Sequence, residues 1–307
     1  MMLRAMLRRL RPHQTADSEK LAEFGPEQEA YVLARAYVPE HIPGLMRGIS
    51  GAPPLLIDDH LAFAGEKWLI FVGYPLDGHF TAARCEQAVA HARAACRPQT
   101  LWFIGPQIPP GLAAICQDRE SDVYYRLDLP AIIKSAPRRA VRSAAAMLSV
   151  SIGRAFTHEH QALTDELMER QSLAQQPLPP IVEALYRTMP VYLAHTPSAT
   201  VLEARSTSGA LAAFYVVEDA APAFDTYVLG AYSRRTYVPY ASDLLFAAMI
   251  QRAQARGKSA LNLGLGVNDG IRRFKEKWGG VPYLAYEACE CRFGGPLVTD
   301  LLSELKL

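Results

Sequence analysis

The apolar positions of the chain fall into two kinds of run. Blocks such as Trp68-Leu69-Ile70-Phe71-Val72 and Leu101-Trp102-Phe103-Ile104 are short and continuous, the pattern of strands covered on both faces. Phe80–Cys96 and Ala241–Arg256 instead carry apolar residues at helical spacing. Read in order, the pattern predicts strands over Glu29–Val38, Lys67–Tyr74, Thr100–Ile104 and Asp122–Leu129, with the helix Phe80–Cys96 between the second and third. It then predicts strands over Ser149–Phe156, Thr200–Ser206, Ala210–Val217, Phe224–Tyr232, Ser259–Leu263 and Pro282–Arg292. The helix Ala241–Arg256 is closed by Gly257, and a last helix is expected over Leu297–Leu305.

A strand–helix–strand unit therefore occurs twice, once around Phe80–Cys96 and once around Ala241–Arg256. Element order and loop lengths link the copies, so a duplicated α/β fold with mixed sheets is expected. The join falls between Leu129 and Pro180, and Gln175–Pro180 reads as a local loop. We place one domain at residues 1–145 and the other at 146–307, the second carrying the main cleft.

Composition narrows the picture. The 307 residues have room for two domains, and 50% hydrophobic with 21% charged residues is globular. A net charge of +1 excludes a strongly basic nucleic-acid coat but leaves room for a local basic groove. Five cysteines, an odd number without a C-x-x-C pair, argue against a disulfide framework or a zinc site. Cys289 and Cys291 read as buried thiols on one face of a strand. No apolar run is long enough to span a bilayer. Met1–Pro12, with Arg4, Arg8, Arg9 and Arg11, lacks the apolar stretch of a signal peptide; it reads as a frayed terminus or as a peripheral contact with anionic lipid. A cytoplasmic protein is expected.

The most informative stretch is Leu261-Asn262-Leu263-Gly264-Leu265-Gly266-Val267-Asn268-Asp269-Gly270-Ile271-Arg272-Arg273-Phe274-Lys275-Glu276-Lys277-Trp278-Gly279-Gly280. A strand passes through a glycine-rich turn into a short basic helix that ends on two glycines. Flexible backbone beside fixed cations can hold a phosphorylated or carbonyl-bearing ligand. The stretch resembles the closing segment of Fem-type acyltransferases of the GNAT superfamily. The element order of about residues 146 to 295 extends the resemblance to tandem-GNAT proteins of the Fem-type peptidyltransferase and BioF2-like acyltransferase kind.

That resemblance implies two GNAT-like (acyl-CoA N-acyltransferase) domains in tandem, the first degenerate. It implies transfer of an acyl or aminoacyl group from an acyl-CoA-type thioester to an amine by direct attack. No cofactor would be held permanently; acyl-CoA or aminoacyl-tRNA would be the co-substrate, and a small-molecule or peptide amine the acceptor. A Fem-type aminoacyl-tRNA transferase acting on a cell-wall or lipid-linked acceptor, with tRNA as partner, is one alternative. A non-catalytic binding protein with the same fold is another.

The same resemblance puts Phe274 and Lys275 at the donor end. Lys275 becomes the candidate catalytic cation, read as an exposed residue whose loss would spare the fold, and Trp278 a packing residue. Ordinary GNAT enzymes hold the CoA pyrophosphate on a glycine-rich turn before the central helix. The corresponding Ser233–Ser242 has no glycine. Arg234 and Arg235 supply the charge there or form a solvated loop, and Ser242 caps the helix and contacts the donor. Asn268 joins the donor set from the glycine turn; Tyr232, Tyr237 and Tyr240 form the acceptor side and, with Asp269, the candidates for a general base. Lys134, Arg138, Arg139 and Arg142 read as a phosphate clamp or a solvated helix face. His158 and His160 do not share a helix face, so no metal site is assigned.

Overall fold

The computed structural model describes residues 24–173 and 180–293. Met1–Pro12, most of the Gln175–Pro180 loop and the helix expected over Leu297–Leu305 lie outside the described residues.

The chain opens with helix α1 (Pro26–Arg35), a 3₁₀ turn (Pro39–His41) and helix α2 (Pro43–Ser50). Strands β1 (Pro54–Ile57), β2 (His60–Ala64) and β3 (Trp68–Val72) follow. Helix α3 (Ala82–Cys96), strand β4 (Thr100–Gly105), the single turn α4 (Pro110–Ala113), the long strand β5 (Cys116–Asp128) and helix α5 (Ser135–Ala145) complete the first half. The second half runs β6 (Leu148–Gly153), α6 (His158–Leu173), α7 (Pro180–His195), β7 (Ala199–Ser206), β8 (Leu211–Glu218) and β9 (Phe224–Tyr232). It closes with α8 (Ala241–Ala255), β10 (Ala260–Leu265), α9 (Asp269–Lys277) and β11 (Val281–Arg292).

The continuous apolar blocks become fully covered strands. All of β4 and all of β8 are buried, and β3 is buried past Trp68. Helix α3 starts where the Thr81 hydroxyl accepts the Arg84 amide (3.3 Å) and presents Cys85, Ala88, Val89 and Ala92 to the core. These small side chains let it lie close to the sheet.

The expected strand Glu29–Val38 is not formed: Glu29–Arg35 belongs to α1, and Ala36–Val38 follows it as irregular chain. Pro26 stands in the first turn of α1, Glu27 and Glu29 favour the positive end, and the Gln28 side chain takes the Gly25 amide (3.1 Å). Val32 is the buried residue of the helix, and Ala36 and Val38 are buried just beyond it; the even spacing of 32, 36 and 38 can be mistaken for alternation.

All eleven strands form one sheet in the order β1-β2-β3-β4-β11-β5-β10-β9-β8-β7-β6. The two strand–helix–strand units give its parallel pairs, β3 with β4 and β9 with β10, and every other pair is antiparallel. The pairs sit symmetrically about the central β11–β5 pair, so Trp68–Val72 and Phe224–Tyr232 hold equivalent positions. Each half sends its last strand into the other: β11 lies between β4 and β5, and β5 between β11 and β10. The expected boundary after residue 145 coincides with the end of α5, while the sheet runs on across it.

Along β5, Tyr124 joins a core cluster of the first half, and Tyr125 joins the one under α5 and α8. Neighbours in a strand face opposite ways, so β5 feeds both sides of the centre. A third cluster packs α7 and Leu163 of α6 with α2 against β7, β8 and β9.

Candidate active site

Two neighbouring strands of the sheet stop pairing before either ends. Strand β10 pairs with β9 only through Ala260–Phe224, Leu261–Asp225 and Asn262–Thr226, although β9 runs on to Tyr232 and β10 to Leu265. Beyond that point the edge of β9 that faced β10 is released from strand pairing. The same stretch of β10 is irregular on its other side, where its register against β5 shifts between Asn262 and Leu265. Gly264 supplies the positive φ (70°) this requires. The loop before α8 starts at the end of β9, so strand divergence and helix N-terminus lie next to each other.

Lys275 stabilises the irregular end of β10. Its Nζ donates to the carbonyls of Gly264 (3.1 Å) and Leu265, and it lies 5.4 Å from the centre of the Tyr125 ring. The residue is only 7% exposed, and burial pushes its ammonium down to about 8. This corrects the expectation of an exposed side chain. Helix α9 is short and basic, but the turn of residue 275 points inward.

The next turn of α9 serves the same packing. Lys277 pairs with Asp243 (2.5 Å), which also accepts the Trp278 indole N–H (3.0 Å). Phe274 meets Phe246 edge-on at 5.5 Å, so it and the buried Trp278 belong to the core.

The glycine turn is held as well. The Asp122 carboxylate of β5 accepts the amides of Gly266 (3.2 Å) and Val267 (2.8 Å). Asn268 caps α9 by accepting the Ile271 amide (3.0 Å), and Asp269 is exposed and 3.4 Å from Arg272. The Gly266 and Val267 amides of the turn and the Ile271 amide of α9 thus have internal partners.

At the start of α8 the structure shows a feature invisible in the motif. Glu166 of α6 reaches into the Ser233–Tyr240 loop. One carboxylate oxygen accepts the amides of Arg234 and Arg235 (3.3 Å for the latter), and the other accepts the Ser233 hydroxyl (2.9 Å). Burial opposes ionisation of Glu166, but the Arg234 amide, the Ser233 hydroxyl and the Arg235 amide outweigh it and hold the carboxyl below its ordinary range. A pair of loop amides beside a helix N-terminus is an anion site. Here the anion is part of the protein.

The side chains around this loop form a cationic, aromatic rim. Tyr232 lies between Arg170 and Arg234, at 4.7 and 5.3 Å from its ring centre, and Arg234 is also 5.3 Å from the ring centre of Tyr237. Arg170 has a buried guanidinium nitrogen, Nη1, without a partner among the described residues. Arg235 turns outward to Glu169 (3.5 Å), and both are well exposed. Tyr240 is half exposed and occupies the N-cap position of α8 with φ 65°. No side chain caps α8, so the expected cap at Ser242 is not formed; Ser242 sits inside the helix, and its carbonyl accepts the Tyr215 hydroxyl (3.0 Å).

Arg234, Tyr232 and Tyr237 are therefore brought together, Lys275 and Phe274 lie apart from them on α9, which the exposed Asn268 caps, and Arg138, Arg139 and Arg142 form a solvent-facing run on α5. His160 is buried against Phe156 and Phe214, with Nδ1 accepting the Thr157 amide (3.0 Å) and Nε2 3.1 Å from Glu203.

Three solved structures share this architecture. FemX matches over 92% of this chain and 98% of its own, at a TM-score of 0.58 and 10% identity. The C-terminal domain of a putative lysylphosphatidylglycerol synthetase from Agrobacterium fabrum covers 91% and 95% (TM-score 0.52, 17% identity). The lysylphosphatidylglycerol synthetase (L-PGS) structure from Bacillus licheniformis covers 94% and 98% (TM-score 0.51, 17% identity). The chain has the fold of FemX. No family model and no curated protein matches the sequence. The divergence of β9 and β10 lies in the second half of the chain. No helix among the described residues is long and apolar enough to cross a membrane.

Proposed function

We propose that the chain is an acyltransferase that moves an acyl or aminoacyl group from an activated thioester or ester to an amine by direct attack. The observation that carries this reading is the parting of β9 and β10 after Thr226–Asn262, next to the loop that starts α8. An activated acyl chain laid in that opening meets backbone groups of β9 that no longer pair with β10. Amides so released can receive the oxyanion of a tetrahedral intermediate, a contribution worth about 10²–10³ in turnover per donor. The amine nitrogen attacks the carbonyl carbon, the thiolate or alkoxide leaves, and the amine proton passes to a base. Lys275 serves as a positioning residue that fixes the end of β10, since its ammonium is spent on the Gly264 and Leu265 carbonyls. Fold partners named as lysylphosphatidylglycerol synthetases fit a transfer of this kind.

A specific observation bears on the donor. Glu166 occupies two amides, those of Arg234 and Arg235, of the loop expected to hold a pyrophosphate. This favours an aminoacyl ester such as aminoacyl-tRNA over acyl-CoA, with Arg170 and Arg234 as the cations at the rim. The deciding experiment offers the protein a panel of acyl-CoAs and a panel of charged tRNAs, each with simple primary amines, and follows the label into amide product. Label transfer from neither panel would sink the transferase reading and leave a binding protein.

The rim also yields an expected ranking. Arg234→Ala should raise the donor KM about tenfold, the loss of one charge-assisted contact backed by stacking. Arg235→Ala should do less, because that side chain points to Glu169. The Arg138→Ala/Arg142→Ala double variant should leave KM within about twofold, as expected for an exposed face. An equal or reversed order would move the donor site to α5.

A further inference from the structure

An acid with one buried carboxylate oxygen, Glu40, takes no part in the proposed transfer. Glu40 lies in the 3₁₀ turn Pro39–His41 and reaches the centre of the sheet, where its Oε1 accepts the Tyr124 hydroxyl (2.7 Å). Its Oε2 is buried without a partner among the described residues. Burial, opposed by the Tyr124 hydroxyl, pushes the carboxyl above its ordinary range.

The surroundings are aromatic. Tyr74, Tyr283 and Tyr286 ring Tyr124 at centroid distances of 6.1, 6.4 and 5.6 Å, and Tyr37 meets Tyr74 edge-on at 6.1 Å. Three of the hydroxyls are engaged on the backbone: Tyr74 on Ala285 (2.6 Å), Tyr283 on Tyr37 (2.8 Å) and Tyr37 on Pro75 (2.8 Å). They are not free to answer Oε2. Arg126 lies over Tyr283 at 6.0 Å but is paired with Asp128 (2.6 Å). Glu40, Tyr37 and Tyr283 keep partial exposure, so a small movement of one ring would open the site to solvent.

The cage adjoins the reaction cleft. The Tyr283 hydroxyl accepts from the Asn262 side-chain amide (3.0 Å), and Asn262 is the last residue of β10 that pairs with β9. Ionised, Glu40 presents Oε2 as an acceptor-only oxygen beside these rings, complementary to a cation with N–H donors, whose charge would offset the burial that disfavours the carboxylate.

We infer that Glu40 and the tyrosines around it form a binding site for a primary ammonium group. Its assignment to a substrate rests on the transferase reading: it is the acceptor's amine or the α-ammonium of an aminoacyl donor. The site itself does not depend on that reading. Either ammonium would sit beside the strand divergence, and Glu40 Oε2 would be placed to take a proton from it.

The test is calorimetric binding of two probes to the full chain, n-butylammonium chloride for an alkylamine acceptor and alaninamide hydrochloride for an aminoacyl group. n-Butanol and sodium chloride at matched concentrations are the controls. At least one ammonium should bind saturably while the controls do not, and Glu40→Gln should weaken it at least about tenfold, the loss of a charge-assisted contact. The amide is isosteric and can still accept the Tyr124 hydroxyl, so the variant should fold. If it does not, Glu40→Asp keeps the charge on a shorter arm and should weaken binding by less than about tenfold. Tighter binding of alaninamide points to the donor, and tighter binding of n-butylammonium to the acceptor. Absence of saturable binding by both probes, or unchanged binding in Glu40→Gln, overturns the site. Ammonium binding without any acyl transfer would uphold the site and count against the transferase. Transfer at full rate in Glu40→Gln would do the reverse.

Discussion

Replacing Lys275 with Met should lower the melting temperature by about 5–10 °C at pH 7, because two carbonyls at the end of β10 lose their partner and an unsatisfied buried group costs roughly 1–3 kcal/mol. Met keeps most of the side-chain volume, so the loss reports on Nζ and its contacts with Gly264 and Leu265. The pH dependence gives a second readout. In the folded chain the ammonium is held at about 8, against an ordinary value of 10.5. Between those values the unfolded chain keeps a proton that the folded chain has released, so stability from this group rises with pH. Methionine does not titrate, and the buried tyrosines are common to both proteins. The wild type should therefore gain on the variant between pH 8 and 10.5, by at most about 3 kcal/mol. Activity should fall together with the order of β10. Lys277→Met removes the ion pair with Asp243 but leaves the Asp243–Trp278 hydrogen bond. It should cost about 1 kcal/mol and show no such pH dependence, since that lysine is more exposed. A gap between wild type and Lys275→Met that stays flat from pH 8 to 10.5 would mean that Nζ is solvated and the β10 contacts are not made.

The contrast between these two lysines shows where a one-dimensional reading stops. Strands such as β3, β4 and β8 were legible because they are covered on both faces, and continuous apolar blocks have few other uses. The repeated strand–helix–strand order was legible for the same reason, and it is the part that predicts the symmetric sheet. Lys275 was recognisable as important, but its burial was not. The carbonyls it holds are exposed by a register shift against Tyr124 on a distant strand. Glu166 and Arg235 are 69 positions apart, and Glu40 and Tyr124 are 84 apart; no local spacing marks either relation. Both are single carboxylates whose meaning comes from what the fold brings to them. The misread α1 is the opposite case, where the local signals of Pro26, Gln28 and the acidic first turn were present and outweighed by a weak alternation.

Removing the Glu166 carboxylate should turn a closed anion site into an open one. In Glu166→Ala the amides of Arg234 and Arg235 and the Ser233 hydroxyl lose their acceptor, and the loop before α8 loses its tie to α6. Glu166 is partly exposed, so the expected destabilisation is about 1–2 kcal/mol, the lower part of the range for hydrogen bonds to a charge. That contribution has a defined pH window. The folded carboxyl sits below its ordinary 4.5, so its stabilisation is complete above that value and is lost as pH falls through the lower, folded value. Wild type and variant should therefore converge in acid and differ most at neutral pH. The larger effect is on ligands. Inorganic pyrophosphate should bind the variant and raise its stability saturably, by about 2.7 kcal/mol when present at one hundred times its Kd. The wild type should show little response, since its own carboxylate competes from within the chain. CoA should follow pyrophosphate if the opening beside α8 accepts a pantetheine arm, and the variant would then acquire an affinity that the parent lacks. Equal responses of the two proteins to pyrophosphate would mean that Glu166 does not guard the loop amides, and the argument against an acyl-CoA donor would fall with it. A response confined to the variant would leave the Arg170–Arg234 rim as the place where the natural donor is held, and would favour a donor whose activated ester needs no phosphate on that loop.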